Sequence, residues 1–160
     1  MKKILLLTII SLCFACNSSA QKNTKKVEKK YPISKTDSEW KAQLSDAQYY
    51  VLRQAGTERP FTSPLNKTYE DGIYHCAACD TPLFKSETKF DSGTGWPSFY
   101  KEIKGNIAFS TDYKVGYART EEHCATCGGH LGHVFNDGPK PTGKRHCING
   151  VALKFVATDN

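Results

Sequence analysis

The apolar positions of this chain change character along its length. Residues 4–15 (ILLLTIISLCFA) form a largely apolar run behind Lys2 and Lys3. The run is too short to span a bilayer, and a positive start followed by such a run has the form of a secretory leader. Residues 21–30 (QKNTKKVEKK) carry almost no large apolar group and read as an unstructured basic spacer. Helix signals follow. Thr36-x-x-Glu39 and Ser45-x-x-Gln48 both have the capping-box form, in which each end satisfies the other's backbone N–H. Two short helices are therefore expected, with Gly56 closing the second. Residues 57–65 hold Pro60 and Pro64 and read as loop. From there on the apolar positions come in short bursts punctuated by Gly, Asp and Pro. They predict strands at 73–76, 107–110, 115–120, 131–135, 145–149 and 151–156. No helical crossover lies between them, so antiparallel pairing is expected. The predicted architecture is mainly β: a leader over 1–20, a flexible basic tether over 21–33, and an antiparallel β domain with short N-terminal helices over 34–157.

Charge changes this picture little. The formal net charge is +6, but Lys2, Lys3 and six lysines between 21 and 35 (against Glu28) supply more than all of it. The domain itself is near neutral, so no nucleic-acid partner is implied. The leader ends in Cys13-Phe14-Ala15-Cys16, followed by Asn17 and two serines. A small residue before a cysteine that closes the apolar run resembles a bacterial lipobox, which makes Cys16 a lipidation site and the chain a periplasmic or membrane-anchored lipoprotein. Ordinary cleavage after Ala20 is the alternative. Both readings export the protein. No oligomerisation signal is visible, so a monomer is the default expectation.

The remaining cysteines carry more information. Cys76/Cys79 and Cys124/Cys127 form two CxxC pairs, and Cys147 stands alone. Two CxxC turns can face four thiolates toward one ion, and soft sulfur ligands favour zinc or iron, zinc being redox-silent. Gly128 and Asp80 follow the second cysteine of each pair, where the left-handed backbone is useful. A fully ligated ion leaves no open position and is structural. The alternative, that each pair is a disulfide or a redox pair, gains weight from export. A redox CxxC, however, opens a helix after a strand, and neither pair has that context.

Cys147 has no partner. A lone cysteine is often just buried, but Arg145 and Asn149 flank it at two-residue spacing, which on a strand places all three on one face. Arg145 can favour a thiolate and Asn149 can orient a substrate oxygen. An exposed, idle thiol on that face is the competing reading.

Four segments now become specific: Phe90-Asp91-Ser92-Gly93-Thr94-Gly95-Trp96-Pro97-Ser98-Phe99, Gly129-His130-Leu131-Gly132-His133-Val134-Phe135, Asp137-Gly138-Pro139-Lys140-Pro141-Thr142-Gly143, and Arg145-His146-Cys147-Ile148-Asn149. With the two CxxC pairs, and in this order, they resemble the methionine-R-sulfoxide reductase B family across nearly the whole domain. The resemblance implies a β-tent-like antiparallel fold and one structural zinc on Cys76, Cys79, Cys124 and Cys127. It also implies reduction of the R epimer of methionine sulfoxide in oxidised proteins, by a Cys147 thiolate that becomes a sulfenic acid. His130 and His133 match the family's pair of proton donors, Trp96 its wall for the S-methyl group, and Asn149 its orienting group. Arg145 and Asp137 are further substrate-site candidates. The two histidines are three residues apart, so a regular strand would send them to opposite faces; a bulge allowed by Gly128, Gly129 and Gly132 would bring both inward.

Thr94 is the main departure. Many members of the family carry a second, resolving cysteine there. The single-thiol form implies an external reductant, a thioredoxin-like or glutaredoxin-like thiol. His146 replaces an aromatic residue, and Gly150-Val151 a Ser-Ala pair. A zinc-ribbon-like binding module without catalysis and a different thiol oxidoreductase are the competing functions.

Overall fold

The computed structural model describes residues 31–158. The leader, Cys16 and residues 21–30 of the expected tether lie outside the described residues. Tyr31 lies edge-on against His123, and the Ile33 N–H donates to the Thr126 carbonyl at 2.9 Å, so residues 31–33 run along the second CxxC turn.

Both capping boxes form. The Thr36 hydroxyl accepts from the Glu39 N–H while the Glu39 carboxylate accepts from the Thr36 N–H, and α1 spans Asp37–Gln43. Ser45 and Gln48 repeat the exchange at the start of α2, Asp46–Gln54. Ala55, not Gly56, takes the left-handed conformation that stops α2 (φ 50°). Gly56 is needed for its lack of a side chain, since a Cβ there would stand 2.3 Å from the Tyr50 ring. The helices turn Trp40, Val51 and Leu52 inward, all nearly inaccessible.

Among the described residues nine strands follow: β1 (Gly72–Cys76), β2 (Pro82–Lys85), β3 (Lys89–Phe90), β4 (Ser98–Phe99), β5 (Ile107–Asp112), β6 (Arg119–Cys124), β7 (His130–Phe135), β8 (Arg145–Ile148) and β9 (Leu153–Ala157). They form a three-stranded sheet in the order β2-β1-β9 and a six-stranded sheet in the order β3-β4-β8-β7-β6-β5, every pairing antiparallel. The fold is therefore mainly antiparallel β with two short helices, as expected. Aromatic contacts join the sheets. Phe84 of β2 stacks on Phe99 of β4 with centroids 4.3 Å apart, and Tyr74 of β1 meets the same ring edge-on at 4.9 Å. Burying rings of this size contributes on the order of 2–3 kcal/mol each.

The expected strand at 115–120 is the clear miss. Tyr113 to Ala118 turn the chain, with Gly116 at φ 87°, and the strand begins at Arg119. Its sequence, Arg-Thr-Glu-Glu-His-Cys, looks like loop because its buried positions are polar. Glu122, fully buried, accepts a 2.6 Å hydrogen bond from His146 Nδ1 of β8, and Glu102 Oε2 lies 3.2 Å from the other ring nitrogen.

Candidate functional site

Cys147 occupies the middle of the larger sheet. Across β8 it pairs with His133 of β7 on one side and with Ser98 of β4 on the other. Gly132 makes the β7 contact very close, since a Cβ there would lie 2.0 Å from the Cys147 carbonyl oxygen. Alternation along β8 leaves Cys147 and Arg145 partly accessible, whereas His146 and Ile148 are buried behind.

The bulge that both histidines require is present. In the β6–β7 register Glu122 faces Gly132 but His123 faces His130, so Leu131 is an extra residue on β7. The shift turns His130 and His133 to one side, with ring centroids 5.5 Å apart. Each imidazole donates to a carboxylate: His133 Nε2 to Asp112 at 2.8 Å, His130 Nδ1 to Glu121 at 2.7 Å. The hydrogen bond from His130 holds the Glu121 carboxyl at about 2, assisted by the Ser110 hydroxyl against the effect of burial. Asp112 is held far below the usual carboxylate range, first by the Lys114 backbone N–H and then by His133 and Arg119. Burial pushes the His133 pKa down, with Arg119 and His130 acting the same way and Asp112 opposing. The balance favours the neutral imidazole.

A cleft of about 130 Å³ opens over the thiol, lined by Cys147, His133, Arg119, Trp96, Asn149, Phe135, Gly132 and Thr57. His130 lines the adjoining cleft of about 500 Å³, which continues from the first through His133, Arg119 and Thr57. Trp96 reaches its place from a loop with Gly93 and Gly95 at φ 70° and 92°, and its indole N–H donates to the Glu58 carbonyl at 3.2 Å. The Asn149 amide is engaged at both ends: its oxygen accepts from the Glu58 N–H at 3.0 Å and its nitrogen donates to the Leu131 carbonyl at 2.9 Å. Arg145 makes a two-point bond to exposed Asp137 at 2.9 and 2.8 Å and lies over the Phe135 ring.

Burial pushes the Cys147 thiol up. The Arg145 charge and the Thr94 hydroxyl, 3.9 Å from the sulfur, pull it down without overcoming that effect. Thr94 is itself tied to Ser92 at 2.8 Å, and Ser92 to Ser98 at 2.7 Å.

The CxxC turns form a second centre. Cys76 ends β1 and Cys124 ends β6, and each chain turns back through an equivalent bond: the Asp80 N–H donates to the Cys76 carbonyl, the Gly128 N–H to the Cys124 carbonyl. Asp80 and Gly128 both take the left-handed region, at φ 57° and 71°. All four sulfurs lie within 4.8 Å of one another, with Cys76–Cys127 at 3.8 Å and Cys79–Cys124 at 3.5 Å. Disulfide sulfurs would sit about 2.05 Å apart, whereas a tetrahedral ion with 2.3 Å sulfur bonds spaces its ligands by about 3.8 Å. The four cysteines are a metal-type cluster, and neither pair opens a helix.

The pattern of the SelR domain matches residues 44–157. This chain belongs to the SelR-domain family. Among curated relatives of the SelR domain, "Peptide methionine sulfoxide reductase B1, chloroplastic" of Oryza sativa subsp. japonica is 56% identical over 129 residues, covering 80% of this chain; the chain spans only 60% of that relative's length. "Peptide methionine sulfoxide reductase MsrB" of Agrobacterium fabrum is 55% identical over 124 residues, 77% of this chain and 92% of the relative. The protein of the same name from Leptospira interrogans is 54% identical over 126 residues, 78% and 96% of the two chains. Its relatives are reductases by name, and the SelR domain of this chain is an enzyme of that oxidoreductase family.

Asp112, Arg119, Glu121 and Glu58 are site residues that the sequence reading did not single out. The one available signal was the spacing of Arg119 and Glu121, two apart and so on one face of a strand; placing that strand too early hid it.

Proposed function

We propose that the protein reduces the R epimer of methionine sulfoxide to methionine, with Cys147 as nucleophile. The observation that carries this reading is the shared cleft: one partly accessible thiol, an imidazole directly across the strand, an indole wall and an amide, in a space suited to a methylsulfinyl group. Cys147 binds the sulfoxide sulfur as its thiol proton departs, and the sulfoxide oxygen is protonated as it transfers. The products are methionine and a Cys147 sulfenic acid. His133 is the nearer proton carrier, being in the thiol's own cleft and oriented by Asp112; His130, oriented by Glu121, stands one step further out. Trp96 packs against the S-methyl group, Asn149 orients the substrate, and Arg145, fixed by Asp137, lends positive charge beside the thiol. The fall of the His133 pKa with burial suits this role, because the imidazole can take the thiol proton at neutral pH and return it to the oxygen.

Zinc fits the four-sulfur cluster, with Cys76, Cys79, Cys124 and Cys127 as a complete set of ligands. It would hold the two sheets in register and take no part in the reaction. With Thr94 in place of a second thiol beside Cys147, two equivalents of an external thiol return the sulfenic acid to Cys147, releasing water and a disulfide. A thioredoxin-like or glutaredoxin-like protein is the reductant of this reading. Oxidised proteins outside the cytoplasm are its substrates, with Cys16 as the lipid anchor.

The test is turnover of the separate R and S epimers of an N-blocked methionine sulfoxide by the purified protein with a dithiol. Consumption of R alone, abolished by Cys147→Ser, is expected. A folded protein that consumes neither epimer overturns the reading and favours a binding module; consumption of peroxide or disulfides instead favours a different thiol enzyme.

A further inference from the structure

Residues 57–65 have no regular strand or α-helix, yet their first residue, Thr57, lines the Cys147 cleft and Glu58 follows directly behind it. Glu58 is the residue that fixes the segment there, and it does so with all three of its polar groups. Its backbone N–H donates to Asn149 Oδ1 at 3.0 Å. Its backbone carbonyl accepts from Trp96 Nε1 at 3.2 Å. Its carboxylate accepts from the N–H groups of Gly150 and, at 2.9 Å, Val151. These are the first two residues of the 3-10 turn Gly150–Ala152, where backbone N–H groups have no partner of their own. The packing is close: a Cβ on Gly150 would meet Ser63 Oγ at 2.0 Å and Glu58 Oε1 at 3.3 Å.

The logic of this arrangement is a division of labour within one residue. The two backbone groups of Glu58 orient the two side chains that the reductase reading assigns to substrate. Those backbone groups belong to an irregular segment, so their position depends on what the side chain holds. Charge-assisted bonds from a carboxylate to two backbone N–H groups are about twice as strong as neutral ones. Glutamine cannot reproduce them, because its NH2 end would confront a backbone N–H, donor against donor.

We propose that Glu58 is a positioning residue that sets Trp96 and Asn149 around the Cys147 cleft. It does not touch the thiol and acts through these two side chains. The inference rests on the reductase reading for its kinetic consequence, but its structural half does not.

The chain has only two tryptophans, Trp40 and Trp96. Labelling the full-length protein with 5-fluorotryptophan gives one fluorine resonance from each, assigned by Trp96→Phe. In Glu58→Gln the Trp96 resonance is expected to move and the Trp40 resonance to stay. The kcat/KM for the R epimer should fall about ten- to a hundred-fold, the loss that sub-ångström misplacement of orienting groups produces. Alkylation of Cys147 by iodoacetamide should stay within about two-fold of the parent rate, because Arg145 and Thr94, the groups that act directly on the sulfur, are not held by Glu58. Glu58→Asp, which keeps the charge, should recover part of the activity and return the Trp96 resonance toward its original place. Full activity in Glu58→Gln, or lost activity with an unmoved Trp96 resonance, overturns the proposal. So does failure of both variants to fold, which would make Glu58 a general stability residue. If the parent protein turns over neither epimer, the reductase reading fails alone, and the Trp96 resonance still decides whether Glu58 sets the indole.

Discussion

Glu122 and His146 lie on the reverse of the sheet from the thiol, and their removal gives a sharp test of how this fold tolerates buried polarity. The Glu122 side chain is inaccessible and His146 nearly so, and the bond between them is 2.6 Å. The second Glu122 oxygen has no hydrogen-bond partner among the described residues. Burial pushes the Glu122 carboxyl up, and the His146 bond opposes that shift. His146→Phe takes away the one donor that Glu122 has among the described residues. A buried carboxyl left this way costs about 3–5 kcal/mol, and because Glu122 can escape part of the penalty by protonating, the lower end applies, about 3 kcal/mol. With a urea m-value of about 1.5 kcal/mol/M, that lowers the unfolding midpoint by about 2 M. The double variant Glu122→Leu/His146→Phe replaces the pair with apolar groups of similar volume and should unfold within about 1 kcal/mol of the parent, or later. The assay is equilibrium urea unfolding at pH 7 with zinc present, read by tryptophan emission and completed as a double-mutant cycle. A single variant that costs less than about 1 kcal/mol, or a double variant as unstable as the sum of the two singles, would refute the reasoning. Turnover per folded molecule should be unchanged in the double variant, since Cys147 is on the other face.

The thiol offers a pH test: because burial raises the Cys147 pKa above that of an ordinary thiol, its alkylation rate should still be climbing at a pH where a free cysteine levels off, and Arg145→Met should displace the curve further upward. A plateau below pH 8 would contradict this. Asp112→Asn removes the negative charge that opposes the fall in the His133 pKa, so the acidic limb of the kcat profile should move to lower pH and kcat should fall about ten-fold, as measured by stopped assays from pH 5 to 9. Cys124→Ser should reduce bound zinc from one per chain to a fraction of that by metal analysis, and should cost several kcal/mol in thermal unfolding. Thr94→Cys places a second sulfur where the Thr94 hydroxyl now lies 3.9 Å from Cys147; after one turnover without reductant, mass spectrometry should find a disulfide between 94 and 147.

The features legible in the sequence were those written in short-range chemistry. Both capping boxes formed because Thr36/Glu39 and Ser45/Gln48 need only each other. The paired left-handed positions at Asp80 and Gly128 followed from the repeated CxxC turn. The bulge at Leu131 was foreseeable because two histidines three apart had to share a face and glycines stood beside them. Strands β2, β3 and β4 were not legible: they are two to four residues long, and they are strands only by virtue of partners far away in sequence. β6 was placed too early because its inward positions are Glu122 and His123 rather than aliphatic residues, so the alternation that marks a strand was absent. Asp112 and Glu121 escaped for a related reason, since a carboxylate's role as a histidine's partner is fixed by cross-strand register. Glu58 could not be found from sequence at all, because its function runs through its main chain.

The alternation of β8 carries one more implication. Cys147 and His146 are neighbours in sequence with opposite destinations, the cleft and the buried pair with Glu122. A one-residue slip of this strand would exchange them, presenting an imidazole to solvent and burying the thiol against a carboxyl. Gly132, pressed against the Cys147 carbonyl, and the pairings to β4 and β7 on either side oppose such a slip. A molecule that slipped would carry an unreactive thiol, so titration of reactive Cys147 would count correctly threaded chains rather than total protein.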